Sequence, residues 1–149
     1  MSPALIRSVL PGDEAAWRQL WRGYCDFYDV TLSEEVTGRT WKRILDPDSA
    51  ISCIVAEVDN QIYGFAHCVV HENTWETQPV CYLEDLFVLP SARGHGLGRA
   101  LLEWLRHAMR AEGWARLYWT THRDNAQARR LYDQFAQADD FVRYVIKRL

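Results

Sequence analysis

A glycine-rich turn within Ser91–Leu105, SARGHGLGRALLEWL, constrains the fold more than any other stretch of the chain. Glycine stands at every second position from Gly94 to Gly98, between Arg93 and Arg99. An apolar run comes directly before the turn and an amphipathic helix pattern directly after it. Glycine is costly at a helix start, because it loses more conformational freedom on folding than any other residue. So dense a cluster indicates a backbone that something else must approach closely.

Length and composition are those of an ordinary globular protein. The 149 residues suit one domain, residues 1–149, and 48% of them are hydrophobic and 25% charged. The net charge of −3 argues against the basic face that nucleic-acid binding needs, so we expect no nucleic-acid partner. The opening residues MSPALIRSVLPGDE lack the apolar core of a signal peptide, and no apolar run reaches membrane-spanning length. We therefore expect a cytoplasmic protein with no membrane partner.

The cysteines and histidines do not indicate a metal site. Cys25, Cys53, Cys68 and Cys81 contain no C-x-x-C pair, and their spacings suit neither zinc binding nor a disulfide-stapled fold. The five histidines are scattered, with no third ligand at a suitable spacing. We expect buried free thiols in a reducing compartment and no metal ion.

Hydrophobic periodicity and turn residues predict ten elements in the order β-α-α-β-β-β-α-β-α-β. Strands are predicted at 4–9, 51–58, 61–71, 79–89, 117–121 and 141–149, and helices at 13–28, 33–45, 96–112 and 125–135. Asp13 and Ser33 are expected to cap helices, and Gly113 to end one. Asp59-Asn60 is a hairpin signal. The later strands follow crossover helices, so the fold class is α+β, with a mixed sheet flanked by helices.

A strand followed by a glycine-rich turn and a helix is an arrangement that binds phosphates. The first N–H groups of the helix lack intrahelical partners and carry the positive end of its dipole, and Arg93 and Arg99 add charge. The residues alone leave two explanations open, phosphate binding and tight strand–helix packing. A P-loop is disfavoured because no lysine follows the turn. A Rossmann site is disfavoured because the spacing is G-x-G-x-G and the turn follows a hairpin.

Three motifs together resemble the GNAT superfamily of N-acetyltransferases. The run RGHGLG at 93–98 is similar to the family's R/Q-x-x-G-x-G/A acyl-CoA pyrophosphate loop, and YLEDLFV at 82–88 fits the strand before it. The run NAQARRLY at 125–132 is similar to the family's N-x-x-A-x-x-L-Y helix. The strand and loop look closest to the spermidine/spermine acetyltransferase-like branch, and the segments TTHRDNAQARRLYDQF and FVRY resemble yeast-type histone and polyamine acetyltransferases. The run 133–141 departs from the family's usual short spacer and Gly-Phe.

The resemblance implies that acetyl-CoA lies along the strand at 79–89. Main-chain groups of Leu86, Phe87 and Val88 are then expected to pair with pantetheine, and the N–H of Phe87 or Val88 to stabilise the oxyanion. Asn125 is expected near pantetheine, although N-capping of its helix explains it equally well. The remaining residues expected at the cofactor are Arg93, Gly94, His95, Gly96, Leu97, Gly98, Arg99 and Ala128.

Acetyl transfer to an amine requires a base for the ammonium proton and a proton donor for the departing thiolate. Glu84 is the candidate base, through a water molecule, because it interrupts an apolar strand just before the pantetheine segment. Binding of a cationic substrate is the alternative role. Tyr132 is the candidate acid, since a phenol of pKa ~10 can protonate a forming thiolate, and core packing is the alternative. Asp85 is expected on the opposite face of the strand, in a structural or dimer contact.

Acidic and aromatic residues of the first two helices predict a site for a cationic amine, with solvated helix ends as the alternative. The candidate substrate-binding residues are Tyr28, Glu34, Glu35 and Glu84. We rank direct transfer, in a ternary complex, to a small polyamine or amino-acid-like amine first. A protein or histone lysine acetyltransferase and a non-catalytic acyl-CoA-binding module are the alternatives. The resemblance also implies a homodimer, through the C-terminal segment FVRYVIKRL.

Overall fold

In the computed structural model, which describes residues 1–148, the chain forms five strands and four α-helices. Short 3-10 turns lie at Pro11–Asp13 and Pro90–Ala92. The main elements are β1 (Leu5–Ser8), α1 (Glu14–Phe27), α2 (Glu34–Leu45), β2 (Ile51–Val58), β3 (Gln61–His71), β4 (Val80–Val88), α3 (Leu97–Glu112), β5 (Leu117–Tyr118) and α4 (Ala126–Tyr132). The predicted α+β class is confirmed. None of the helices within this range is both long and apolar enough to span a bilayer.

The strands form one mixed sheet in the order β1-β2-β3-β4-β5. The first four strands are antiparallel to their neighbours, whereas β4 and β5 are parallel, as their connection through α3 requires. At the hairpin between β2 and β3, Asp59 and Asn60 have φ angles of 50° and 67°. Two consecutive positive φ angles are typical of a type I′ turn, whose twist matches that of the flanking strands.

Apolar side chains cover both faces of the sheet. Helices α1 and α2 cover one face, where Trp17 and Trp41 pack against Val55 and Phe65. Helix α3 covers the other face, and Leu101 is among its fully buried side chains. Alternate residues of β2 belong to the two cores, as the period of two along a strand requires.

The helix ends use the expected residues, with one correction. The Ser33 hydroxyl accepts the N–H of Val36 at 3.2 Å, and Gly113 ends α3 in the left-handed conformation with φ 75°. The Asp13 carboxylate does not cap α1. It accepts the N–H of Leu10 at 2.7 Å. It also forms an ion pair of 2.8 Å with the partly buried Arg7, and this charged partner holds the carboxylate away from the N–H groups of α1.

The strand predicted at 141–149 is wrong over residues 141–148, which form no strand, and Leu149 lies outside the described residues. Phe141 is 83% exposed and Ile146 fully exposed. A strand-like sequence becomes a strand only against a partner ladder and a surface to pack on. Strand β5, at the edge of the described sheet, is itself too short to offer a ladder, since it spans Leu117–Tyr118 rather than 117–121.

Candidate active site

The parallel strands β4 and β5 separate after two residue pairs. Cys81 pairs with Leu117 and Tyr82 with Tyr118, and residues 83–88 of β4 have no β5 partner within the described chain. Helix α3 connects the two strands along the chain. The separation leaves one edge of β4 open over the segment that the sequence predicts to bind pantetheine.

The hydrogen bonds between β3 and β4 show which backbone groups reach the open edge. The N–H of Leu89 donates to the carbonyl of Tyr63 in β3 at 2.8 Å. Peptide groups alternate in direction along a strand, so Phe87 also faces β3, while Leu86 and Val88 face away. Leu86 and Val88 therefore present their N–H and C=O groups to the gap.

A cavity of about 300 Å³ lies beside this open edge, between the glycine turn and α4. The predicted site residues that line it are Tyr28, Leu86, Phe87, Val88, Arg93, Gly94, Gly96, Leu97, Gly98, Arg99, Asn125, Ala128 and Tyr132. The lining residues that the sequence analysis did not single out are Phe27, Ala92, Gln127 and Leu131. Ala92, Gln127 and Leu131 lie inside or beside the three motifs, and Phe27 directly precedes the candidate residue Tyr28 at the end of α1; these positions are the signal that could have found them. His95, Glu34, Glu35 and Glu84 do not line this cavity.

The glycine turn combines left-handed backbone with open space. Gly94 and Gly96 have φ angles of 83° and 78°, and a Cβ added at either would meet no atom within 4 Å. Gly98 is glycine for a different reason: a Cβ there would lie 3.2 Å from a methyl group of Leu131 in α4, which is a tight contact. The first N–H groups of any helix have no intrahelical partner. Helix α3, which starts at Leu97, also has no side-chain cap, so no capping side chain satisfies these groups. We call the backbone of residues 94–99 the glycine cradle; its uncapped N–H groups suit an anion.

Two arginines flank the glycine cradle. The Arg93 Nε donates to the Val88 carbonyl at 3.1 Å, and its guanidinium lies over the rings of Phe27 and Phe87 at 5.4 and 5.7 Å. Arg99, in the first turn of α3, donates to the side chain of Gln134, just after α4. Positive charge therefore lies on both sides of the uncapped helix start.

Helix α4 carries a capping amide and a half-buried phenol into the cavity wall. The Asn125 side chain accepts the N–H of Ala128 at 3.2 Å, which confirms the N-cap interpretation. The Tyr132 ring packs edge-on against Trp119 at 5.5 Å. Burial, and to a smaller extent the neighbouring Tyr28, raises the pKa of Tyr132 to about 12. This phenol therefore keeps its proton at neutral pH.

Glu84 is the extra residue of a β-bulge. In the ladder between β3 and β4, Cys68 pairs with Leu83 and His67 pairs with Asp85, so Glu84 has no partner. A bulge of this kind sets two residues of one strand against one of the other and re-aims the side chains there. It explains why two acidic residues interrupt an otherwise apolar strand.

The bulge corrects the expectation that Glu84 and Asp85 face opposite sides. Leu83 and Leu86 both pack in the α3 core although they are three positions apart, whereas Phe87 packs in the α1 core. Side chains alternate between the two faces of a strand, so the residue after Leu83 and the residue before Leu86 both face α1. These residues are Glu84 and Asp85. Partial burial, and then the charge of Asp85, raises the pKa of the exposed Glu84 carboxylate.

The two glutamates predicted to bind substrate lie at the surface. The Glu34 carboxylate contacts Arg18 at 3.0 Å, and Glu35 lies 3.9 Å from Arg39. Their side chains are 78% and 83% exposed. Both start α2, where the positive end of the helix dipole favours acidic residues, so the structure gives them a solvated, ion-paired position.

No three His, Cys, Asp or Glu residues within the described part of the chain are grouped so that they could hold a metal ion.

The family described as Acetyltransferase (GNAT) family matches residues 16–136. The chain belongs to the GNAT family. The matched range begins in α1 and ends just after α4, so it includes the open edge of β4, the glycine cradle and Tyr132. Acetyltransferases of the GNAT family use acetyl-CoA, and the site has the uncapped helix start and free strand edge that such a ligand requires.

Two curated GNAT relatives cover most of the chain. The chain is 34% identical over 143 residues to the D-amino-acid N-acetyltransferase HPA3 of Saccharomyces cerevisiae, over 94% of this chain and 88% of that protein. It is 36% identical over 114 residues to the aminoglycoside N(6')-acetyltransferase type 1 of Stenotrophomonas maltophilia, over 72% and 71% of the two chains. Both relatives are named as N-acetyltransferases of amines, which agrees with the predicted enzyme class.

Two solved structures show the same fold. The aminoglycoside acetyltransferase AAC(6')-Iy in complex with a bisubstrate analogue gives a TM-score of 0.85 at 22% identity, over 99% of this chain and 100% of that one. A ribosomal-protein-alanine N-acetyltransferase from Brucella melitensis gives 0.82 at 21% identity, over 98% and 99%. One is named for an antibiotic acceptor and the other for a protein acceptor, so this likeness does not select an acceptor.

Proposed function

We propose that this GNAT-family N-acetyltransferase transfers the acetyl group of acetyl-CoA directly to the primary amine of a small polyamine or amino-acid-like molecule. One observation carries the proposal: the open edge of β4, the glycine cradle and the phenol of Tyr132 all line a single cavity. A strand edge suits an amide-containing arm, and an uncapped helix start suits a diphosphate. A proton-bearing phenol suits a leaving thiolate.

The residues of the cavity fit coenzyme A by position. The N–H groups of the glycine cradle would hold the diphosphate, with Arg93 and Arg99 adding charge, while the exposed His95 would contribute only its backbone. Leu86 and Val88 would pair with the pantetheine amides. Of the two oxyanion donors considered, Val88 is favoured, because the peptide groups of Phe87 face β3. When bound, acetyl-CoA supplies the activated acetyl thioester.

The proposed transfer needs two protein groups. Glu84 accepts a proton from the acceptor ammonium through a water molecule, which leaves the amine nitrogen neutral and nucleophilic. As the new C–N bond forms, the C–S bond breaks, and Tyr132 donates its phenolic proton to the departing sulfur. The raised pKa of Glu84 suits a base, and the raised pKa of Tyr132 keeps the acid protonated until it is needed.

The charge and shape of the α1 side favour a small cationic acceptor. Tyr24 and Tyr28 are partly exposed aromatic residues near the two carboxylates of the bulge, so charge and cation–π contacts can both hold an ammonium. The relatives named for D-amino acids and aminoglycosides also act on small amines. A histone or other protein lysine is the second candidate, and the polyamine branch rests on the YLEDLFV and RGHGLG motifs. A non-catalytic module would need neither Glu84 nor Tyr132.

Release of free CoA thiol tests the proposal directly. The protein is mixed with acetyl-CoA and an amine panel of polyamines, both hands of amino acids, an aminoglycoside and lysine peptides. Its own cysteines are buried and free, so the native protein contributes little thiol background. Turnover of a small amine above that of the peptides supports the proposal. Binding of acetyl-CoA in calorimetry without turnover of any amine would favour the non-catalytic module.

We further propose a homodimer formed through residues 141–149. The described part of this tail exposes the aromatic and aliphatic side chains Phe141, Val142, Tyr144, Val145 and Ile146. Exposed apolar clusters of this kind are typical of surfaces that pack against a partner. A second copy of the chain would provide the ladder and the apolar surface that the tail lacks within one chain.

A further inference from the structure

A buried chain of hydrogen bonds runs from α1 to the bulge. The Trp17 Nε1–H donates to His67 Nε2 at 2.9 Å, and His67 Nδ1 lies 2.9 Å from Asp85 Oδ2. An indole N–H can only donate, so His67 Nε2 must be an acceptor, and its ring proton must reside on Nδ1. His67 therefore donates to Asp85, and this arrangement describes a neutral imidazole beside an anionic carboxylate.

The surroundings of His67 hold this arrangement in place. His67 is only 3% exposed. The centroid of its ring lies 4.5 Å from that of Phe65 and 5.2 Å from that of Trp21. The side chain of Asp85 is only 12% exposed. A buried carboxylate is stable only when hydrogen bonds replace its lost hydration, and the Nδ1–H of His67 provides one. The chain thus fixes the position of Asp85 and gives its carboxylate a hydrogen-bond donor.

Asp85 lies next to the residue that the bulge leaves unpaired. Since Asp85 is held inward by His67, the adjacent backbone has little freedom, and Glu84 is held at the surface of the same side. The Asp85 charge also acts on Tyr24, whose pKa is raised first by burial and then by this carboxylate. Asp85 therefore sets the electrostatic field around the bulge without lining the cavity itself.

We propose that Trp17, His67 and Asp85 form a positioning chain for Glu84, which fixes the bulge and keeps an anion beside the base. The inference rests on the proposed function of Glu84. The fixed negative charge makes Glu84 a stronger base and attracts the ammonium of the acceptor. Asp85 is a positioning residue in this scheme, because it acts through Glu84.

Several titratable groups face Glu84, and they set the sign of the test. On β4 there is Asp85, on β3 His67, on α1 Tyr24, on β5 Tyr118, and in the C-terminal tail Arg143. With His67 neutral and the phenols protonated, Asp85 and Arg143 are the charged members of this group. Asp85 raises the pKa of Glu84 and Arg143 lowers it. Removing the charge of Asp85 and removing that of Arg143 should therefore move the acid limb of the pH profile of kcat/KM in opposite directions.

The decisive experiment compares the pH dependence of kcat/KM in Asp85→Asn and in the unchanged protein. Asparagine keeps the size and can still accept from His67, but carries no charge. The acid limb is expected to move to lower pH, and the KM for the amine is expected to rise. Arg143→Gln is the matched control and should move the limb to higher pH. If Asp85→Asn leaves both the acid limb of the pH profile and the KM for the amine unchanged, the positioning chain is wrong. The proposed function would still stand in that case, because the variant would still acetylate the amine.

A second measurement needs no substrate. Nitrogen-15 NMR of the histidine rings should show His67 as the Nδ1-protonated neutral tautomer. Trp17→Phe removes the donor to Nε2, so the Nδ1-protonated tautomer is no longer imposed and the nitrogen-15 spectrum should show a mixture of the two neutral tautomers. An Nε2-protonated tautomer in the unchanged protein would refute the chain. This NMR result stands even if no amine on the panel is acetylated, so the two proposals fail separately.

Discussion

Tyr132 shows how the surroundings of one side chain decide its chemistry. A phenol on a helix is ordinarily a packing residue, and Tyr132 does pack on Trp119. The residue nevertheless lines the cavity, and burial raises its pKa to about 12, so the phenol keeps its proton at neutral pH. The two roles weighed from the sequence, core packing and proton donation, are therefore compatible at this position.

Tyr132→Phe should lower kcat by at least about tenfold, because the thiolate loses its proton donor. The affinity for acetyl-CoA, measured by calorimetry, should change little. Tyr63→Phe is the matched control, since among residues 1–148 its hydroxyl bonds to no side chain but that of Gln61, at the surface. Equal turnover in Tyr132→Phe and the unchanged protein would remove Tyr132 from the acid role.

Gly96→Ala tests the glycine cradle. A left-handed backbone costs a residue with a Cβ roughly 1–2 kcal/mol, and here the new methyl group would also enter the open space of the cradle. We expect weaker acetyl-CoA binding together with a lower free energy of unfolding. Gly113→Ala suffers the same backbone strain at φ 75° outside the cavity, so it should lose stability alone. If both variants bound acetyl-CoA equally well, the cradle would not hold the diphosphate.

Helix α4 depends on its cap more than the other helices do, because it has only seven residues and none of them is fully buried. Asn125→Ala removes that cap and should cost about 1 kcal/mol of unfolding free energy. Because α4 also positions Tyr132, we expect kcat to fall as well. Ser33→Ala removes an equivalent cap from α2 and should lower stability by a similar amount with turnover unchanged. Chemical denaturation and steady-state kinetics of both variants provide the measurement.

Most secondary structure could be predicted because its signals are local. Residues 51–58 and 61–71 form strands with the predicted bounds, since alternation and the Asp59-Asn60 turn define them without help from the rest of the chain. The bulge at Glu84 could not be predicted, because it is a property of the pairing between two strands. The strand predicted at 141–149 is wrong over residues 141–148 for the same reason: a strand needs a partner strand to pair with, and the sequence of one segment does not show whether that partner exists.

Most of the cavity lining was also predictable, since its residues belong to contiguous motifs after one strand and at one helix. The hydrogen-bonded chain of Trp17, His67 and Asp85 was not predictable. Trp17 and His67 are 50 residues apart and His67 and Asp85 are 18 apart, so only the folded sheet brings them together. Local charge patterns gave Glu34 and Glu35 instead, and these belong to the solvated end of α2.

The assembly of the molecule is tested through its tail. Ile146 is fully exposed in the single chain, so burying it in a partner would be favourable, and an aspartate there would be costly to desolvate. Ile146→Asp should convert a dimer to a monomer at micromolar concentration in sedimentation velocity. Lys147→Ala, at the next position, should leave the dimer intact. A monomer in the unchanged protein at all concentrations would contradict the proposed homodimer.

The weak junction between β4 and β5 has a consequence for measurement. Two residue pairs hold β5 to β4, whereas β2–β3 and β3–β4 each share eight pairs. Local opening requires less free energy where fewer contacts break, so the amides at 117–118 should take up deuterium sooner than those of β2. A ligand lying in the gap would tie the two strands together and slow that uptake. Mass spectrometry of this one peptide would then report occupancy of the enzyme even when its natural acceptor is unknown.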